Sequence, residues 1–354
     1  MNKFIIIYLL SLMMVNSYGQ EQTHSQYDFI SYLYEYSDLE YWQDQYSENV
    51  RWNFRNVIFE NLTRDERKFI GYVDMELPLL NKGGCEPFSF SYSINEGIII
   101  APIIAIKFFD DLSIAHSWLL KNGYATNTIN VYTLMLKYLN PTKDDRWPPP
   151  LSVLGIPDNW KDDPEVDNIS QNNLKNIVVF EIAHQLGHIY QGDDAQINKS
   201  YTQQVNDAYT QKVNDAYTRK VNDEINADYF AVELFRRLGI PPTGIDQYFL
   251  IQSILAPNPY EFNKTSDYED FVLNNICHPI TSERLNSLAS ELESKLYEFI
   301  RFEKESIGIM YELIEQLRWA IGVFEDAEIA ALKENIKSFN ISDLKPQRME
   351  QMRK

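Results

Sequence analysis

Hydrophobic positions along this chain change period several times. From about Gln26 to Asn61 the sequence is dense in Tyr, Phe, Trp and acidic residues, with Tyr27, Ile30, Leu33 and Tyr34 at helical spacing. Phe88-Ser89-Phe90-Ser91-Tyr92 then alternates with period two. Ile98-Ile99-Ile100 and the run Ile103 to Phe109 are apolar and rich in β-branched residues, so strands are expected across this stretch. Asp110 to Leu120 and Thr128 to Leu139 read as helices. Asp167, Asn168 and Ser170 offer caps for a further helix over Leu174 to Tyr190. Its segment Ile177-Val178-Val179-Phe180 is apolar all round, which predicts a buried helix. Another apolar helical run, Tyr229 to Leu238, stops at Gly239 and Pro241-Pro242 as helices do. Thr281 to Phe302 and Glu303 to Phe339 predict a C-terminal helical pair, and Lys345 to Lys354 a frayed tail. The pattern gives an α+β class, predominantly helical, with a small N-terminal strand region.

The same pattern divides the chain. Met1-Asn2-Lys3, the apolar Phe4 to Val15 and Ser17-Tyr18-Gly19 form a signal peptide over residues 1–19, cut near Gly19. A secreted or periplasmic protein is then expected. The apolar stretch is short for a bilayer span, and no later one is long enough, so no membrane span is predicted. Residues 20–145 form an aromatic-rich α+β region expected to pack on the domain C-terminal to it. Arg146-Trp147-Pro148-Pro149-Pro150-Leu151 is a rigid joint, because each proline fixes its own φ and restrains the residue before it. Residues 146–300 and a C-terminal part, 301–354, complete the division. Within the former, residues 201–224 are three near-identical octapeptides, each beginning Tyr-Thr and carrying Val-Asn-Asp. Eight residues overshoot two helical turns by about 80°, which disfavours a coiled-coil seam. The repeats read as a duplicated tolerant surface segment or as a partner-binding arm.

Charge narrows the partners. With 51 acidic and 32 basic residues the net charge is −19. Such a surface repels nucleic acid and anionic membranes, and 44% hydrophobic residues exclude wholesale disorder. Cys85 and Cys277 can form one disulfide in an oxidising compartment or remain two buried thiols; no C-x-x-C supports redox chemistry.

The strongest chemical signal is Ala183-His184-Gln185-Leu186-Gly187-His188. Histidines four apart share one helix face, so His184 and His188 can present ring nitrogens to one Zn²⁺. The H-E-x-x-H motif is built this way, with a glutamate between the histidines that takes a proton from zinc-bound water. Gln185 fills that place with a neutral amide, which cannot deprotonate water at neutral pH. In the alternative register Phe180-Glu181-Ile182-Ala183-His184 the glutamate is kept and a histidine lost, leaving zinc one ligand short. Glu181 then reads as an exposed or helix-N-terminal carboxylate, and His116 as a structural histidine. Downstream, Glu224 is a candidate third ligand. Asp228, one turn later, can accept the outer N–H of a ligand histidine and fix its tautomer.

Taken together, A-H-Q-L-G-H and Glu224-x-x-Ala227-Asp228 resemble the gluzincin zinc peptidases, in the HtpX-like and CAAX-prenyl-protease-like branch, whose motifs read A-H-E-L-G-H and E-x-x-A-D. Cys277-His278-Pro279, followed by Glu283-Arg284, looks like that branch's third landmark. The resemblance covers roughly residues 165–290 and implies a zincin-like domain over 146–300. It further implies one Zn²⁺ on His184, His188 and Glu224 with a fourth position open to water, and His278 approaching the substrate side. A peptide or protein ligand would occupy the cleft. Three readings are open: a zinc-binding pseudopeptidase with little turnover, a weak metallopeptidase in which zinc alone activates water, and a metal-free interaction protein.

Overall fold

The computed structural model describes residues 33–71, 73–81, 86, 88–93, 96–139, 147–192, 207–299, 306–336, 339–341 and 344–349. The expected signal peptide, Cys85 and most of the first octapeptide fall outside them. The fold is predominantly helical with one small sheet. Helix α1 (Tyr36–Trp52) runs through a π-helical turn and a 3₁₀ turn into α2 (Arg64–Ile70), and then come β1 (Asp74–Glu76), β2 (Ser91–Ser93) and β3 (Ile98–Ile100). After these stand α3 (Ile103–Lys121), α4 (Asn127–Tyr138), the short α5 (Pro150–Val153), α6 (Pro164–Gln191) and α7 (Asp207–Leu238). The chain continues through α8 (Ile245–Leu255), α9 (Thr265–Asn275), α10 (Ser282–Ser294), α11 (Leu296–Phe299), α12 (Ser306–Glu325) and α13 (Ala327–Ile336). In the sheet, β3 lies between β1, parallel to it, and β2, antiparallel, with Ile99 opposite both Met75 and Tyr92.

Helix α6 is the central element. Asp163 caps its first turn by accepting from the amides of Glu165 and Val166, and Pro164 occupies the first helical position, where no amide proton is needed. Gly192, at φ 73°, ends it in the left-handed conformation that a side chain would strain. It therefore begins well before Leu174, where the periodicity alone starts it. Helices α3 and α7 pack on α6, β2 touches it, and α10 packs on α7. One continuous apolar core runs from Leu33 to Leu344 through all of these.

Three expectations are corrected. Ile103 to Phe109 is helix, not strand: Pro102 stands at the N-cap of α3, and every residue from Ile103 to Ala115 is buried. An element covered on all sides loses the amphipathic signature that separates a helix from a strand. The repeats are not a tolerant surface segment where the structure describes them, since the third continues helix α7 without a break and Val213 and Val221 are both buried. There Tyr217 meets Tyr268 edge-on, with ring centroids 6.1 Å apart, beside the small cluster Tyr268, Val272 and Ile276. Nor is the C-terminal tail frayed throughout. The amide of Ala125 donates to the Gln347 carbonyl at 2.8 Å, that of Met349 to Gly123 at 3.0 Å, and the Arg348 guanidinium lies 4.9 Å from the Tyr124 ring.

The aromatic N-terminal stretch has a specific task. Helix α3 carries Lys107, Asp110 and Asp111 into the core, all buried. Lys107 pairs with Asp111 and lies 4.3 Å from the Trp42 ring; the Tyr34 and Tyr46 hydroxyls donate to Asp111 at 2.8 Å and Asp110 at 2.5 Å. Burial pushes the Asp110 carboxyl up to about 6, against the pull of Lys107 and the Tyr46 hydroxyl.

Close approach of α6 and α7 depends on Gly187. A Cβ there would stand 2.8 Å from the Ala227 Cα and 3.1 Å from its carbonyl oxygen, both backbone atoms that cannot swing aside. Gly187→Ala should therefore destabilise the fold by about 1–3 kcal/mol, read as a lower denaturant midpoint at unchanged slope. An unchanged midpoint would show that the two helices separate freely.

Candidate metal centre

Helix α6 presents His184 and His188 one turn apart, and α7 crosses them at Glu224 and Asp228, again one turn apart. The segment between α9 and α10 brings His278, and the first turn of α10 brings Arg284. Metal-binding atoms of His184, His188, Glu224 and His278 all lie within 4.8 Å of one another, and all four residues are buried. His184 Nε2 is 3.0 Å from His188 Nε2 and 3.3 Å from Glu224 Oε2. His188 Nε2 is 3.3 Å, and His278 Nδ1 3.1 Å, from Glu224 Oε1.

These separations bear on whether the group can hold an ion. Ligand atoms at the corners of a tetrahedron with bonds of 2.0–2.1 Å stand about 3.3 Å apart, which is the scale of all four distances. Glu224 Oε2 lies 2.8 Å from Arg284 Nη1, yet no donor meets this buried oxygen with hydrogen-bond geometry. Two imidazole nitrogens facing each other and a carboxylate oxygen without an aligned donor make a set that a cation satisfies. The four side chains can hold a metal ion.

Charge in the next layer is fully specified. Arg284 is 1% exposed and grips Asp228 with two parallel bonds, Nε to Oδ2 at 2.7 Å and Nη2 to Oδ1 at 2.8 Å, while Nη1 also donates to the Pro279 carbonyl at 3.2 Å. Asp228 Oδ1 is 2.8 Å from His184 Nδ1. With Nδ1 carrying the proton toward that carboxylate, the Nε2 lone pair of His184 faces the cluster. Burial alone would raise both carboxyl pKa values. It is outweighed at Glu224 by His278, Arg284 and His188, and at Asp228 chiefly by Arg284, so both are held below the usual carboxylate range. Burial likewise opposes charging His184, but its contacts to Asp228 and Glu224 prevail and raise it to about 9; at His278 burial prevails and lowers it to about 4. Tyr92 from β2 stacks on the His188 ring at a centroid distance of 5.5 Å.

Gln185 has no exposed surface, and neither its amide nitrogen nor its oxygen has a hydrogen-bond partner among the described residues. Glu181 is corrected: it is neither exposed nor near a helix start, but 3% exposed in mid-helix. Burial raises its pKa, against the attraction of His184, and the Tyr248 hydroxyl and Phe90 backbone hold it in place. His116 lies on α3 and is not part of the four-residue group. Cys277, beside His278, is disulfide-bonded; Cys85, the chain's other cysteine, lies outside the described residues.

The structure thus gathers His184, His188, Glu224 and Asp228, and it adds His278 where the sequence reading expects a position open to water. Arg284 is the residue to which that reading gives no role. Its signal was available: two carboxylates one turn apart on a helix facing a dry core require a cation, and Arg284 stands in the E-R landmark.

Removing the guanidinium and changing the pH each probe this network. Arg284→Met leaves Asp228 and Glu224 buried without their partner and should cost about 3–5 kcal/mol in a denaturant titration; a loss under about 1 kcal/mol would show that water replaces the guanidinium. The second concerns pH. A His184 pKa raised from 6.5 to about 9 stabilises the metal-free fold fully below pH 6.5, and the effect is lost as pH rises through about 9. A bound cation holds His184 neutral throughout. Chelator-treated protein should accordingly show a falling Tm between pH 7 and 9 that the metal-loaded protein lacks, and parallel curves would refute the assignment.

Comparison with known proteins adds no relative: no family model, curated protein or solved structure matches this chain.

Proposed function

We propose that this chain is a secreted or periplasmic zinc-binding pseudopeptidase, a zincin-like scaffold over residues 146–300 that holds its metal without hydrolysing peptides and keeps a peptide or protein ligand beside it. The observation that carries this reading is Gln185, a buried amide between two histidines whose ring nitrogens converge on a carboxylate and a third imidazole.

Three imidazoles and one carboxylate, all buried and with ligand atoms within 4.8 Å of one another, suit zinc better than a hard cation, which prefers an all-oxygen shell. Zinc in such a place acts as a Lewis acid and lowers the pKa of any water it binds. The surrounding residues supply little else that hydrolysis needs. Gln185 accepts no proton at neutral pH, and Glu181 is engaged by Tyr248 and the Phe90 backbone. With His278 beside the other three donors, the number of ligands equals that of a closed structural site. Asp228 and Arg284 fix the tautomer and position of His184, the support that ligand histidines require. The resemblance of these motifs to the gluzincin zinc peptidases points to the same scaffold. Among the described residues no helix is long and apolar enough to cross a membrane.

Metal analysis of the purified protein should find one zinc per chain, with His188→Ala and Glu224→Gln each losing it. A peptide library should remain uncut by the parent, while Gln185→Glu keeps the zinc. Cleavage by the parent as fast as by that variant would refute the role given to Gln185. Zinc-free protein that takes up none on dialysis would refute the metal itself.

A further inference from the structure

The third octapeptide ends on a metal-binding residue, Glu224. Lys220 stands one turn before Glu224 on α7, so the two share a helix face. Its ammonium donates to the carbonyls of Ile276 at 2.5 Å and Leu273 at 3.3 Å. Helix α9 has use for those bonds. It ends at Asn275 with Ile276 extended, at φ −115°, rather than in the left-handed turn that satisfies terminal carbonyls internally. A cation at that end also suits the helix dipole. Tyr217, three residues before Lys220, meets Tyr268 of α9, and Val221, directly after it, is buried. The preceding repeat carries the same residue type as Lys212, and there the side chain is exposed.

Two residues past Ile276 stands His278, whose Nδ1 is 3.1 Å from Glu224 Oε1. The contacts therefore form a closed circuit: one helical turn from Lys220 to Glu224, across to His278, back along two residues to Ile276, and over to the Lys220 ammonium. On the other side of His278 the Pro279 carbonyl accepts from Arg284 Nη1 at 3.2 Å. Residues 276–281 lie outside helix and strand, so no regular backbone ladder fixes them. Two cations from different helices grip the carbonyls flanking His278, and the Cys277 disulfide ties the same segment. Burial opposes the charge on Lys220 and holds its pKa below the ordinary value, although Glu224 and Glu86 pull the other way. A solvated lysine such as Lys212 bears no such cost, so the placement of Lys220 serves geometry.

We propose that Lys220 is a positioning residue of the metal centre: by gripping the end of α9 it seats His278 against Glu224, and the third octapeptide is thereby part of the site. That His278 then serves as a zinc ligand rests on the pseudopeptidase reading; its placement by Lys220 does not, because every contact in the circuit is made by the protein alone.

Lys220→Met keeps the aliphatic stem and removes the donor, and Lys212→Met makes the same change in the exposed copy. In the full chain with its disulfide intact, Lys220→Met should weaken zinc binding by about 10–100-fold, the usual effect of losing a partner that orients a ligand, while Lys212→Met leaves it unchanged. In a His278→Ala background Lys220→Met should add nothing, since both changes then act through one imidazole. The cobalt-substituted Lys220→Met protein should show the absorption spectrum of His278→Ala rather than that of the parent. In zinc-stripped protein Lys220→Met should move the histidine ring NMR signals of His278, whereas Lys212→Met moves none. Should the chain take up no metal, the zinc assignment fails and these metal-free spectra still decide the role of Lys220. Lys220→Gln, a milder loss of the ammonium, takes the place of Lys220→Met in every comparison if the latter does not fold. Unmoved His278 signals, a zinc loss that persists in full without His278, or equal effects of the Lys212 and Lys220 variants would each overturn the proposal.

Discussion

The site depends on one buried ion network, Arg284 between Asp228 and Glu224. Placing two carboxylates in the dry interior between α6, α7 and α10 costs several kcal/mol per charge, and a single long-range attraction would not offset it. The bidentate grip on Asp228, the contact to Glu224 and the bond to the Pro279 carbonyl together satisfy a guanidinium that is 1% exposed. The network leaves His184 with one nitrogen bonded to Asp228 and the other facing His188 and Glu224. Tautomer, ring orientation and ligand spacing therefore depend on the position of one arginine on another helix.

Steric constraint supplies what electrostatics cannot. Gly187 lets the α6 backbone approach α7 at Ala227, so the small residues flanking the metal-binding positions act by their size. Were either position larger, the carboxylate of Glu224 would recede from the two histidines, and a group whose donors stand about 3.3 Å apart tolerates little recession. Packing and coordination are thus a single requirement here.

The amide of Gln185 makes the chemical sense of the site depend on what is missing from it. A carboxylate at this position would be a base poised by a neighbouring cation; an amide of the same shape is only a dipole. Its two side-chain atoms have no hydrogen-bond partner among the described residues. On α3 the Lys107, Asp110 and Asp111 cluster is closed by Tyr34, Tyr46 and Trp42.

Residue spacing alone paired His184 with His188 and Glu224 with Asp228, because neighbours on one helix face are determined by a period of 3.6 residues whatever the surroundings; that the two pairs meet was an expectation of the resemblance. It also fixed the helical character of α4 and the stop of α7 at Gly239, both local properties. Tertiary structure decided the rest. Ile103 to Phe109 became helix because burial on every side removes the periodicity that would have announced it. His278 joined the ligands, and Glu181 lost its solvent, through contacts between elements far apart in sequence. Arg284 gained its importance from charges that only folding brings near. A chain's spacing specifies which side chains share a face; which faces meet, and so which charges must be balanced, is set by the packing of whole elements.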